Sequence, residues 1–447
     1  MTTTLDQLNA KVRSQKTALP SLYGAIDFDA TPERFADQPD DISELTGSPG
    51  ANREMWLADK ALVARIKSYT MLGDATADAY AALMPQQGFK PLVEMLTTAC
   101  DKGIEAVADA PPELVALIRE MERVPDWLDR GMVERGARAD RSAAALLSPY
   151  AIRGAFIATF MNKYSALPMA LTGTLSHATA ARRVKETATF FTTSVLPGAL
   201  ERFGPGFKAA AMVRLMHSMV RANVLGRPGL WDAKTYGIPI PQLDQMPAGL
   251  IPVYFMSAGI LAKGRTRFTP RERAKVELAR YRCYLLGLPE DLLGDTPQAI
   301  VKIWCTRSAT LRREFDDVTC GGLLRATMEA ELSTGTSLGQ RLFRRLEHSF
   351  ARIFFVKVFL KGDAAAAERI GVTVTATDSV LFALTNISII ARMSFYLLAE
   401  RIPGLRNLTD RRLVAKLQAQ LAEYGHAEFT SNAANYRPAI AGHAQAA

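Results

Sequence analysis

Residues 213–221 read Val213-Arg214-Leu215-Met216-His217-Ser218-Met219-Val220-Arg221, inside an apolar-periodic run over 208–226. That spacing predicts a helix. On it Arg214, His217 and Arg221 stand at i, i+3 and i+7 and share one face. A neutral imidazole flanked by two cations suits a metal ligand whose neighbours meet negative charge. Haem satisfies both demands, with iron for His217 and propionates for Arg214 and Arg221. A satisfied core histidine beside a solvated cationic face has the same pattern. Taken alone, the stretch leaves both open.

The helical period extends outward from there. It predicts helices over 53–72, 75–84 and 113–123, then over 130–147, 150–172, 178–193 and 208–226. Further segments follow at 247–261, 270–287, 296–314, 322–332, 339–360, 376–401 and 409–423. Strand-like alternation is confined to Val372-Thr-Val-Thr-Ala-Thr377. The fold class is therefore all-α. Residues 1–50, with Pro20, Pro32, Pro39 and Pro49 and little periodicity, read as an extended N-terminal arm. Residues 51–123 read as a helical extension, 124–425 as one continuous helical domain, and 426–447 as a flexible tail.

Composition narrows the function classes. Of 447 residues, 48% are hydrophobic and 22% charged, as in a globular chain. The excess of 54 Lys and Arg over 45 Asp and Glu is diluted over that length, and no basic cluster interleaved with aromatics marks a nucleic-acid surface. The basic runs at 263–282 and 341–345 fall at helical spacing and read as solvated faces. Cys100, Cys283, Cys305 and Cys320 lack zinc spacing and suit a reducing compartment. The polar opening MTTTLDQLNAKVRSQ is no secretory signal, so a cytoplasmic location is expected. The most apolar runs, 350–360 and 379–399, carry charges and are expected to be buried helices, not membrane spans. Peripheral membrane contact is then the one membrane role left.

Other chemistry finds no anchor. Cys320-Gly321-Gly322 lacks the spacing of a phosphate loop, and no Gly-x-Ser-x-Gly elbow occurs. His348, among Arg344, Arg345 and Glu347, reads as a surface group. His177 reads as a helix-start residue, and His426 and His443 lie near the end.

The segment 178–193 offers a second polar face, with Arg183, Glu186 and Thr187 at i, i+3 and i+4. Pro197, Gly198, Gly204, Pro205 and Gly206 then break the chain and allow an antiparallel return. A Thr hydroxyl and an Arg facing iron suit hydrogen bonding to dioxygen. An ordinary Arg183–Glu186 surface pair fits the segment as well.

The order Arg-x-x-x-Thr, a Pro/Gly turn, then Arg-x-x-His-x-x-x-Arg resembles the latex-clearing protein (rubber oxygenase) and MpaB-type oxygenase family. Val124-Pro125-Asp126-Trp127, Trp231-Asp232, Gly237-Ile-Pro-Ile-Pro-Gln242-Leu-Asp244 and Tyr281-Arg-Cys-Tyr-Leu-Leu-Gly-Leu-Pro289 match it in sequence order. The resemblance spans roughly 120–400 and leaves residues 1–110 uncovered. It implies a globin-like helical core, b-type haem, His217 as proximal iron ligand, and Arg183 and Thr187 on the distal side. Dioxygen is the implied co-substrate and a lipophilic alkene or isoprenoid-like molecule the implied substrate. Two departures are visible. Glu186 stands where the rubber oxygenases carry a lysine, so a lysine-capped resting state is not carried over; as a carboxylate it suits proton transfer or iron ligation. Lys163-Tyr-Ser-Ala-Leu-Pro-Met169 also lacks the acid those enzymes place on the preceding helix. An oxygenase leads. A non-catalytic haem protein (gas sensor, carrier or peroxide-handling protein) and a haem-free helical scaffold are the alternatives.

Overall fold

The computed structural model describes residues 3–47, 49, 52–171, 179–333 and 335–425. Among them every regular element is helical, and extended pairing is limited to the bridges Phe35–Leu311 and Ser43–Arg312. The segment 372–377 is no strand. It leads into the Ala376–Ala399 helix, whose N-terminus is closed by a reciprocal Thr375–Asp378 capping box. His177 and the tail 426–447, with His426 and His443, lie outside the described residues.

The chain forms two compact units. The first combines residues 1–136 with 200–313, the second 137–199 with 314–447. This partition differs from a separate arm, extension and continuous domain, because the N-terminal segments are built into the first unit. Thr4 and Gln7 cap the Leu5–Ala18 helix, which buries Leu8, Val12 and Gln15. The Gln15 amide donates to the Met71 carbonyl at 2.9 Å and accepts from the Gly73 amide at 2.7 Å. Residues 34–45 then pair irregularly with 308–312: the Ala36 amide donates to Thr310 (2.8 Å) and that of Leu45 to Ser308 (2.9 Å). Arg53 ties the same strip together by donating to the Ala36 and Ala309 carbonyls, both at 2.8 Å. Aperiodic, proline-rich chain can be ordered when its backbone groups find such partners.

Local chemistry also splits two expected helices. Asp59 accepts from the Leu62 amide at 3.0 Å and starts a new helix, Lys60–Tyr69, after Arg53–Leu57. The run 150–172 becomes Ser148–Ala158 and Lys163–Leu171, the latter containing Pro168.

In the second unit Phe156, Phe160, Ala180, Val184, Cys320 and Leu323 share a core that fixes the Ala180–Thr193 helix. Arg153, wholly buried, fastens the Ser148–Ala158 helix to Leu338–Phe359. It meets both Glu347 carboxylate oxygens at 2.9 Å and the Thr327 and Met328 carbonyls at 2.7 and 2.9 Å. Residues 350–356 are largely buried, as their composition predicts. The 376–399 helix is not. One of its faces is exposed and apolar, which corrects the expectation of a buried helix; by length and composition it could cross a membrane. The basic run 263–282 is likewise only partly solvated, because Arg280 and Arg282 turn inward. The Arg280 guanidinium lies 4.0 Å from the centre of the Trp127 ring. All four cysteines are free and buried.

Candidate functional site

Pro205 at its first turn and a β-region Gly204 cap start the helix that carries His217, Pro205–Leu225. His217 is half-buried on it, and Gln245 meets its ring: the carboxamide nitrogen lies 2.8 Å from Nδ1. Gln245 is buried at the start of the Met246–Ala262 helix, beside the Gly237–Asp244 motif. It was not singled out from sequence. The available signal was a lone amide opening one of the most apolar segments of the chain.

Arg214 and Arg221 do not face outward toward a ligand's carboxylates. Arg214 is buried against Asp74, donating from Nε and Nη2 at 2.7 and 2.6 Å, and Nη2 also reaches Glu120 at 2.6 Å. Arg221 donates to Asp78 at 2.7 Å, to the Ser218 hydroxyl at 2.9 Å and to the Ile240 carbonyl at 2.5 Å. The protein's own carboxylates meet both charges, so the propionate role suggested by the spacing gives way to a bracing one. Asp74 and Asp78, one turn apart on the Ala75–Ala81 helix and its cap, come from the part of the chain the resemblance did not cover.

The electrostatics follow from burial. Burial works to raise Asp74, but the Arg214 charge and hydrogen bonds outweigh it and hold the carboxyl below the usual range. For Asp78 burial prevails over Arg221, with Asp74 adding to it, and the carboxyl is raised. Tyr23 donates to Asp78 at 2.6 Å; burial first and the Asp78 charge second keep its phenol protonated.

Several motif segments meet in this unit. Gly287, with φ +86°, passes so close that a Cβ there would stand 3.2 Å from Asp74 Oδ2 and 3.3 Å from Arg214 Nε. Trp127 donates to Glu290 at 3.0 Å and packs edge-on against Tyr284. The Trp231 indole donates to the Gly237 carbonyl at 2.8 Å. Ile240 holds φ +46°, costly for a β-branched residue, and it is the residue whose carbonyl Arg221 engages.

Arg183, Glu186 and Thr187 belong to the second unit, on the Ala180–Thr193 helix. Glu186 is buried and clamped by Arg182 at 3.0 Å and Arg183 at 2.6 Å. The carboxylate suggested for proton transfer or iron ligation is thus engaged by two guanidiniums. Thr187 is half-buried.

A haem iron needs one axial imidazole rather than a ligand cage, and the donor set agrees. Among the described residues no cluster of three or more His, Cys, Asp or Glu could hold a metal ion. With its carboxamide nitrogen 2.8 Å from the ring, Gln245 makes Nδ1 of His217 an acceptor; the carboxamide's orientation decides the tautomer.

No curated protein matches the chain by sequence. The solved structure of latex clearing protein in its closed state matches with a TM-score of 0.53 and 17% identity, covering 79% of this chain and 91% of that one. At that identity the match speaks for the fold alone. Residues 143–387 match the family described as "ER-bound oxygenase mpaB/B'/Rubber oxygenase, catalytic domain". That stretch is more than half of the chain, and the protein belongs to the MpaB/rubber oxygenase catalytic-domain family.

Proposed function

We propose that the protein is a b-type haem oxygenase that uses dioxygen on an apolar, alkene- or isoprenoid-like substrate. The observation that carries this is His217: a half-buried imidazole, oriented at Nδ1 by Gln245, in a chain of an oxygenase family. Haem, when bound, would supply the iron that activates dioxygen, and His217 would hold it. His217 is the proximal ligand, and Arg214 and Arg221 fix its helix instead of binding the cofactor directly.

Thr187 supplies a hydroxyl and Arg183 a guanidinium as hydrogen-bond donors for dioxygen, the distal roles implied by the resemblance. Glu186 holds Arg183 in one orientation through the 2.6 Å ion pair. It is a positioning residue in this reading.

The experiment is optical. The purified protein shows an intense Soret band, and His217→Ala abolishes or severely weakens it; an unchanged band removes the axial assignment. Thr187→Val keeps the Soret band but slows dioxygen uptake with an alkene roughly a hundredfold or more, the size of one lost catalytic donor. The engagement of Glu186 by two arginines and the acid-free stretch 163–169 favour a second reading, a haem protein without turnover. Reversible oxygen binding with no altered alkene selects it.

A further inference from the structure

The Ala376–Ala399 helix buries one stripe and exposes another that is equally apolar. Asp378, Thr385, Ile389 and Ala399 face inward. On that side the Phe382 and Phe350 rings stand 4.8 Å apart, and the Ser349 hydroxyl donates to Asp378 at 2.7 Å. Outward stand Val380, Leu384, Ile387, Ile390, Phe395 and Leu398, each between 53% and 64% exposed. Val380, Leu384, Ile387, Ala391, Phe395 and Leu398 follow one another at three- and four-residue steps and so form one row. The row continues through exposed Ile402 and Leu405 into the Pro403–Glu423 helix. Its 18-residue core has a mean hydropathy of 1.6. Soluble monomers rarely expose a contiguous apolar surface of this kind.

The charge around it is mainly positive. Arg392, Arg401, Arg406, Arg411 and Arg412 are exposed; of the acids, Asp378 is buried, Asp410 is drawn onto Arg141 at 2.9 Å, Glu400 is half-buried and Glu423 is exposed.

We propose that this face docks on a membrane surface containing anionic lipid, with the helix lying in the interfacial plane. Apolar side chains enter the acyl boundary while the arginines meet headgroup phosphates, the pattern of an interfacial amphipathic helix. A second copy laid on the same row would bring like charges together. A span would strip Asp378 from Ser349 and Phe382 from Phe350, at the cost of an uncompensated carboxylate in hydrocarbon. The docking does not depend on the oxygenase reading. It does place a protein with a proposed lipophilic substrate at the phase in which such a molecule dissolves.

The test is flotation of the full-length protein with phosphatidylcholine vesicles, with and without phosphatidylglycerol. Binding is expected with the anionic vesicles and is released by salt. Ile387→Asp with Leu398→Asp lowers partitioning at least tenfold without moving the thermal transition, both sites being exposed. Arg401→Gln and Arg406→Gln each weaken it roughly fivefold, about 1 kcal/mol per interfacial charge. Absence of binding, or binding indifferent to the aspartates, overturns the proposal. So does a dimer in sedimentation that the same aspartates dissociate, which would make a second copy the occupant. The Soret band of each variant keeps this outcome separate from the haem assignment.

Discussion

Gln245 sets the chemistry of His217, because a group hydrogen-bonded to Nδ1 fixes both the ring's orientation and its tautomer. With the carboxamide nitrogen toward the ring, 2.8 Å away, Nδ1 accepts. Turned over, the carboxamide presents its oxygen, Nδ1 becomes the donor, and Nε2 is the nitrogen with a lone pair for iron. Under the proposed haem reading, Gln245→Leu removes both arrangements and lowers haem affinity about 10–100-fold, as for other outer partners of metal-bound histidines. Gln245→Glu keeps an acceptor and strengthens it, which makes the imidazole more basic and lowers the iron's reduction potential. A spectroelectrochemical titration of wild type and both variants checks the order; identical potentials remove Gln245 from the site.

At the level of elements, the histidine helix is held by two buried ion pairs, Arg214–Asp74 and Arg221–Asp78. A buried pair adds little net stability over an apolar pair, but removing one partner strands a charge. Arg214→Met leaves Asp74 uncompensated and costs about 3–5 kcal/mol. Asp74→Asn with Arg214→Met recovers part of that loss. Urea unfolding of the two single variants and the double variant reads the coupling, and strictly additive losses would show that the pair is not the brace. These elements also show what the sequence could reveal. The Arg214, His217 and Arg221 face was legible because helix geometry fixes three- and seven-residue neighbours. The partners of the arginines were not legible, since Asp74 and Asp78 lie 140 and 143 residues away and no local period connects them. Gln245 was hidden for the same reason, 28 residues downstream beyond an irregular turn. Helix type and most boundaries followed from periodicity and caps. The order in residues 3–47 did not, because side-chain and irregular backbone bonds hold it.

Over the whole molecule, the net charge of +9 conceals how many cations are inside. Arg34, Arg141, Arg153 and Arg221 are among the largest fully buried side chains. Burial also displaces acids and an imidazole, Asp78 in the first unit and Glu347 and His348 in the second, so stability depends on pH. His348, expected at the surface, is the clearest case. Its side chain is 19% exposed, with Nε2 3.2 Å from Arg153 Nη2. Burial first, then the Arg153 and Arg352 charges, push its pKa down to about 4. In the unfolded chain the imidazole titrates near 6.5. Between those values the unfolded state binds the extra proton, so stability rises with pH there and is lost as pH falls from about 6.5 toward 4. At 1.36 kcal/mol per unit the full loss is roughly 3 kcal/mol. His348→Gln retains a side chain that accepts from Arg153 and removes the titration, so its thermal midpoint falls less steeply over that window. The wild-type minus variant difference, measured at intervals from pH 7 to pH 4, cancels the carboxylates common to both. A difference that stays flat with pH would mean that His348 is charged, or solvated, in the folded protein.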